Sequence, residues 1–308
     1  MSEERREIDA KRTKPDPAGK RIRRLEATDE RQYMMNERYE VYEKQGAPLG
    51  AAAFHHHGFY EVIYVLEGEY SSMVEERTYN LHRGDFLLID VDVLHKYNYV
   101  EGKHDSSKRI ILWISAAMLE GLSEGEMNLA GCFLDHASCV WHFPIYYEEM
   151  LRSHLLRLAM SGGLEEEFPG AKAVMDKGCL ALFFAWLNVL CGRKEYLPAQ
   201  EETERHALVE QVGSYIDAHV EERIRVDDLA GHVHMSKYYF LRRFKELTGV
   251  TVHAYVTQKR LILACEKLRE GKSVTQVWQE CGFADYSSFL RNFKDNFGVS
   301  PGKYVKNT

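Results

Sequence analysis

The chain has 308 residues, enough for two domains, and 45% of them are hydrophobic, an ordinary share for a globular protein. The longest apolar stretch, Leu180 to Cys191, is too short for a membrane span and contains Asn188, and Met1-Ser2-Glu3-Glu4-Arg5-Arg6 has no apolar core behind its charges, so neither a membrane segment nor a signal peptide is expected. The net charge of −7 is unevenly held, with 15 Lys and Arg against 12 Asp and Glu from His206 onward and 25 against 35 before it, which excludes the front part as a phosphate-binding surface and leaves the rear part open to that role.

Residues 1–32 are dense in charge, carry Pro15, Pro17 and Gly19, and read as a mobile arm. Residues 33–115 read as a β domain. Glu61-Val62-Ile63-Tyr64-Val65-Leu66, Phe86-Leu87-Leu88-Ile89 and Arg109-Ile110-Ile111-Leu112-Trp113-Ile114 are β-branched and aromatic runs set off by turn residues such as Gly68 and Gly84-Asp85, a pattern that predicts a small antiparallel barrel or jelly roll. Within it His55, His57 and Glu61 share odd parity and point to one face of an extended strand. His56 has the opposite parity and is expected to be exposed. His82, His104, His136, His142 and His154 have no matching spacing and read as ordinary.

Residues 116–192 turn helical, with the strongest segments at 146–160 and 171–191. Their apolar residues cover more than one helical face, so part of each is expected to pack on a partner, and these helices are the candidate homodimer interface. Residues 193–205 are polar, contain Pro198 and read as a linker. Six scattered cysteines without a Cys-x-x-Cys pair fit a reducing cytoplasm rather than a disulfide framework or zinc ribbon.

Residues 206–308 carry one signature twice. At an offset of 49, Phe240 meets Phe289, Leu241 meets Leu290, Arg242 meets Arg291, Phe244 meets Phe293, Gly249 meets Gly298 and Tyr255 meets Tyr304. Each copy reads as a short helix, a tight turn and a second helix with arginines on its polar side, the anatomy of a helix-turn-helix whose second helix enters a DNA major groove. Ser236 and Asp285 are the expected N-caps of the second helices. Tyr239, Phe240, Phe244, Phe289, Phe293 and Phe297 are expected in the cores. Lys237, Tyr238, Leu241, Arg242 and Lys245, and in the second copy Tyr286, Ser287, Ser288, Arg291, Asn292 and Lys294, are expected outside.

The run from Gly282 to Lys294, followed by Gly298-Val299-Ser300-Pro301 and Tyr304, resembles the signature of the AraC/XylS family of bacterial transcription regulators over about the last hundred residues. The resemblance implies two helix-turn-helix subdomains joined by a long helix over 252–269, and DNA contacts from Tyr238, Leu241 and Arg242 and from Tyr286, Ser287, Ser288 and Arg291. An arginine pairs bidentately with guanine, whereas a serine equally bonds phosphate. Lys237 joins the DNA-facing set, although its plainer reading, like that of Lys245 and Lys294, is a solvated helix face. Trp278 stands where the family usually has a small alanine, so either the helix carrying it shifts or Trp278 faces outward toward the effector domain.

The run His55-x-His57-x3-Glu61-x6-Gly68 resembles the first cupin motif, and Gly84…His95…Asn98 resembles the second less closely, with Asp90 and Asp92 where Pro and Gly are expected. His95 would then face the same cavity from a neighbouring strand. Three imidazoles and a carboxylate suit a divalent transition metal, and equally a polyhydroxylated organic ligand; structural histidines are the third reading. The resemblance as a whole implies an α+β chain: an N-terminal cupin-like β-barrel, then helices, then an all-α domain with two helix-turn-helix subdomains. It implies a cytoplasmic, ligand-responsive regulator and no enzyme, whose partners are double-stranded DNA, a small-molecule effector such as a sugar, a second copy of the chain and RNA polymerase. The alternative is a cupin metalloenzyme with an appended DNA-binding module.

Overall fold

The computed structural model describes residues 24–25, 33–46, 54–98, 107–134, 139–160, 168–193, 196 and 204–307. The arm expected over 1–32 and the linker expected over 193–205 fall mostly outside these residues, as do His104 and His136.

The β domain is built from Arg24–Leu25 (β1), Tyr39–Gln45 (β2), Phe59–Glu67 (β3), Tyr70–Val74 (β4), Arg77–Leu81 (β5), Asp85–Ile89 (β6), His95–Asn98 (β7), Lys108–Ser115 (β8), Val140–His142 (β9) and Glu204–Arg205 (β10). One sheet runs β1-β2-β8-β3-β6-β9 and the other β10-β5-β4-β7. The strand pairs are antiparallel except β1 with β2. The central strands of the larger sheet are continuously apolar because both of its faces are covered. On β3, Val62 and Tyr64 face a helical layer while Ile63 and Val65 face the second sheet. The same split places Ile110, Leu112 and Ile114 of β8 under the helices and Ile111 and Trp113 between the sheets. Odd-numbered positions of β3 therefore look into the space between sheets, and Glu61 is one of them.

The helical layer consists of Ala116–Leu122 (α1), Ile145–Met160 (α2) and Ala171–Cys191 (α3). The segment expected to be helical thus contains one strand, β9, which pairs with β6. The apolar stretch Leu180–Cys191 is the C-terminal part of α3, a helix of 21 residues with mean hydropathy 1.5 over 18 of them, long and apolar enough by those measures to cross a membrane. Its Leu180, Phe183, Phe184, Leu187 and Leu190 are fully buried in the core shared with the sheet, and its buried Asp176 bonds the Tyr39 hydroxyl, so one face of the helix packs on the β domain while the opposite face is exposed.

The C-terminal domain opens with Ala207–His219 (α4). The first helix-turn-helix is Val226–His232 (α5) and Lys237–Thr248 (α6); Val252–Arg269 (α7) is the long joining helix, with the bounds expected; the second is Val274–Glu280 (α8) and Tyr286–Phe297 (α9), followed by Pro301–Asn307 (α10). Amphipathic spacing explains both second helices, each with one aromatic stripe inward: Phe240 and Phe244, then Phe289, Phe293 and Phe297. Tyr239 is a correction, since it is 45% exposed; on a helix it lies about 100° from Phe240 and so leaves the narrow buried stripe. Gly282 forms the turn before α9 at φ +69°, and a Cβ there would stand 2.6 Å from the Val220 carbonyl oxygen, so no other residue fits. Asp285 caps α9 by accepting from the Ser288 amide at 2.7 Å. Ser236 is the N-cap of α6 but makes no side-chain capping bond.

Candidate functional site

His55, His57 and His95 converge, their nearest ring nitrogens lying within 4.8 Å of one another. The convergence has a backbone cause: His55 and His95 exchange both amide bonds, N to O at 3.0 and 2.9 Å. His57 Nδ1 lies 2.8 Å from the Phe59 carbonyl and His95 Nδ1 2.9 Å from the Val93 carbonyl. A carbonyl only accepts, so Nδ1 carries a proton in both rings, and Nε2 is the atom that each ring turns toward the pocket. Those two nitrogens face one oxygen: Glu61 Oε2 is 3.3 Å from His57 Nε2 and 3.2 Å from His95 Nε2, the latter without hydrogen-bonding alignment.

The other oxygen of Glu61 is fully engaged. Trp113 Nε1 donates to it at 2.9 Å and the Tyr97 hydroxyl at 3.1 Å. Burial pushes the Glu61 carboxyl up, but its pairing with the His57 and His95 imidazoles outweighs burial and holds the group well below the usual carboxylate range. Burial pushes the His57 imidazole down, toward its neutral form. A buried ionised carboxylate with two imidazole Nε2 atoms turned toward it is compensated by a proton on a facing ring or, once the rings are deprotonated, by a cation. Two imidazoles locked by carbonyls, one partly exposed imidazole and a carboxylate suit a divalent first-row transition metal better than magnesium or calcium, which prefer oxygen ligands. The donor set therefore fits a metal.

His56, expected to be exposed, is buried. Its parity does turn it away from the other two histidines, but the side it faces is covered by the C-terminal domain: its ring meets Phe297 edge-on at 5.3 Å. Asp92, where the second cupin-like motif would have glycine, takes the left-handed conformation glycine favours, at φ +60°. Its carboxylate lies 3.4 Å from His56 Nδ1 and bonds the Arg269 guanidinium. His142 stands apart from the cluster, with Nδ1 2.8 Å from Asp85, and His82 is beside the same carboxylate.

A second set of residues lies on α6 and α9. Lys237, Tyr238, Leu241 and Arg242 are exposed, Tyr238 at 80%. On α9 Tyr286, Ser287 and Arg291 are exposed, while Ser288 and Asn292 are half-buried because the Asn292 amide donates to the Ser288 carbonyl at 2.8 Å. Lys237 pairs with Asp227 at 3.1 Å and Arg242 with Glu246 at 3.6 Å. Arg291 makes no ion pair among the described residues. Trp278 is half-buried in the second unit's own core, with its ring 6.0 Å from Tyr286.

Residues 39–158 match the AraC-like ligand binding domain family, and residues 229–307 match a helix-turn-helix domain family. The two matches fall on the two units just described and together span more than half of the chain. The chain belongs to the AraC family of transcriptional regulators. It is 26% identical over 253 residues to the probable transcriptional regulator LumQ of Photobacterium leiognathi, covering 82% of this chain and 91% of that one. It is 24% identical over 255 residues to the HTH-type transcriptional activator RhaS of Escherichia fergusonii, covering 82% and 87%. Over 101 residues it is 33% identical to the transposon Tn10 TetD protein of Escherichia coli, covering 32% of this chain and 73% of that one. The regulator is therefore a ligand-responsive, DNA-binding protein with its ligand-binding domain at the N-terminal side.

Sequence reading missed several residues around this regulator's pocket. Trp113 was visible only as an apolar strand residue, yet the β3–β8 register sets it opposite Glu61. Tyr97 was passed over between His95 and Asn98, although it shares the parity of His95 on β7. Arg269 gave no signal, because its partner Asp92 is 177 positions away.

Proposed function

We propose that the regulator senses its effector at the His55, His57, Glu61 and His95 cluster, and that the site takes a divalent transition metal, either as the signal itself or as the anchor of a small oxygen-rich metabolite such as a sugar. The observation that carries this reading is the convergence of His55, His57 and His95, two of them locked by carbonyls at Nδ1 and turning Nε2 toward the buried Glu61 carboxylate. The metal would supply charge neutralisation and coordination for a ligand oxygen. The chain is read as a sensor in the cytoplasm rather than a metalloenzyme, because the relatives it matches over most of its length are regulators.

DNA reading is assigned to Tyr238, Leu241 and Arg242 on α6 and to Tyr286, Ser287 and Arg291 on α9, with Lys237 and the half-buried Ser288 as lesser, phosphate-positioning contacts. Arg291 leads, since it is exposed and gives up no ion pair to reach a base. Arg291→Ala is expected to weaken specific binding by about 1–3 kcal/mol per lost bidentate contact. The measurement is the affinity of full-length wild type and variant for a duplex selected by the wild type from random-sequence DNA. Equal affinities reject the role.

A second copy of the chain is the proposed partner of α2 and α3. Met175, Leu182 and Val189 are exposed at seven-residue spacing on α3, Trp186 lies between them, and a Cβ at Gly178 would meet nothing within 4 Å. Such a seam is self-complementary about a two-fold axis. Leu182→Glu is expected to turn a dimer into a monomer in sedimentation at micromolar concentration; an unchanged dimer places the interface elsewhere. RNA polymerase is proposed as a further partner, in keeping with the designation of RhaS as an activator.

A further inference from the structure

The two helix-turn-helix units are attached to the effector domain in different ways. The first is fused to it through shared apolar core: Phe54, Met73 and Leu94 of the β domain pack in one cluster with Val209, Val212, Phe240 and Phe244. Phe54 meets Tyr255 edge-on at 6.0 Å, and the Lys96 ammonium donates to the Leu247 carbonyl at 3.0 Å. The second unit's apolar core contains no residue of the β domain among the described residues, and its contacts with that domain include several on the two segments that carry the metal-site histidines.

The three consecutive histidines show how close the two functions lie. His55 and His57 face the pocket, and His56, between them, is buried against Phe297 at the end of α9. The next residue, Gly58, lies under Tyr304 of α10; a Cβ there would stand 2.7 Å from the Tyr304 hydroxyl. On the other segment, the Asp92 amide donates to the His57 carbonyl at 2.9 Å. The Asp92 carboxylate, 8% exposed with the rest of its residue, reaches His56 on one side and Arg269, the last residue of α7, on the other. One carboxylate thus ties a histidine-bearing strand end to the helix that leads into the second unit.

We propose that His56, Asp92 and Arg269 are positioning residues that report occupancy of the His55, His57, Glu61 and His95 site to the second helix-turn-helix. The proposal rests on the effector-site reading above. Drawing His55, His57 and His95 onto a cation alters the backbone of residues 55–57 and 93–95. Asp92 is bonded to the first and adjoins the second, so its grip on Arg269 changes with them. The first unit, locked by apolar packing, stays with the effector domain, and the second shifts against it. The spacing and phase of α6 and α9, on which reading two successive grooves depends, become the output. Apolar fusion on one side and, on the other, a charge pair beside a few ring contacts suit that task, because a charge pair is directional and is lost with a small displacement, whereas a packed core is not.

The test is hydrogen exchange on the full-length protein with and without Co²⁺, whose visible absorption also reports its uptake. In wild type, Co²⁺ is expected to change exchange of the 286–307 amides by about an order of magnitude and to leave 237–248 unchanged. Arg269→Ala is expected to bind Co²⁺ as wild type does and to show no response at 286–307, and Arg269→Lys to restore part of it. Asp92→Asn, which tolerates the left-handed backbone, serves as the second variant should Arg269→Ala not fold. Co²⁺ bound by wild type without a response at 286–307, or an unaltered response in Arg269→Ala or Asp92→Asn, overturns the coupling alone. No Co²⁺ uptake by wild type overturns the effector-site reading, and the coupling with it.

Discussion

Phe293→Ala is expected to lower the stability of the C-terminal domain by about 3–5 kcal/mol, the usual cost of emptying a fully buried phenylalanine site. Phe293 is 0% exposed, and its ring lies 5.7 Å from Phe289, 4.5 Å from Phe297 and 5.4 Å from Tyr304. These four rings make up much of the small core that joins α7, α9 and α10. A domain of this kind has about 5–15 kcal/mol in total, so the loss is a large part of the whole. The measurement is urea unfolding of the full chain followed by far-UV circular dichroism, with proteolysis locating the weakened segment. A midpoint shift worth less than about 1 kcal/mol would sink the assignment, since a surface substitution costs less than that. The equivalent residue of the first copy, Phe244, packs on Tyr255 at 5.4 Å, and its loss should also loosen the effector domain because that core is shared.

This aromatic core was legible in the sequence because the same short-range pattern occurs twice. A helix repeats every 3.6 residues, so Phe289, Phe293 and Phe297 declare one buried face without any knowledge of their partners. The bounds of α7 follow instead from the resemblance to the AraC/XylS family; in the structure Thr251 caps its start and charged residues close its end. The β domain was legible strand by strand, and parity alone placed His55, His57 and Glu61 together. What parity does not encode is what lies on the other side of a strand. His56 was expected in water because a strand at the edge of a small barrel usually has one wet face; here a domain some 240 residues further along the chain covers it. Tyr239 failed in the opposite direction, counted into a core too narrow to hold two adjacent aromatic residues. The Asp92–Arg269 pair belongs to the same class as His56, a contact between segments whose local patterns are each complete without the other.

The second large effect concerns the pocket itself. His57→Ala is expected to lower the affinity for Co²⁺ or Zn²⁺ by on the order of a hundredfold or more, given that even outer hydrogen-bonding partners of metal ligands cost about 10–100-fold when removed. Trp113→Phe provides that outer comparison: it keeps the ring and removes only the Nε1 donor, 2.9 Å from Glu61, so its effect should be the smaller of the two. In wild type, free metal at 100 times its dissociation constant should stabilise the folded chain by about 2.7 kcal/mol, and this increment should vanish in His57→Ala. Elemental analysis of the purified protein and thermal unfolding with and without metal read both quantities. The competing outcome is equally definite. If the wild type holds no metal and a sugar or other small metabolite stabilises it instead, the lone pairs of His57 and His95 are serving as acceptors for hydroxyl groups. Glu61 would then be compensated without a metal, by the Trp113 and Tyr97 donors, by a proton on a facing ring nitrogen or by the ligand itself. The metal reading thus stands or falls on a property of three atoms, Glu61 Oε2 and the two Nε2 atoms facing it, and not on the family's habits.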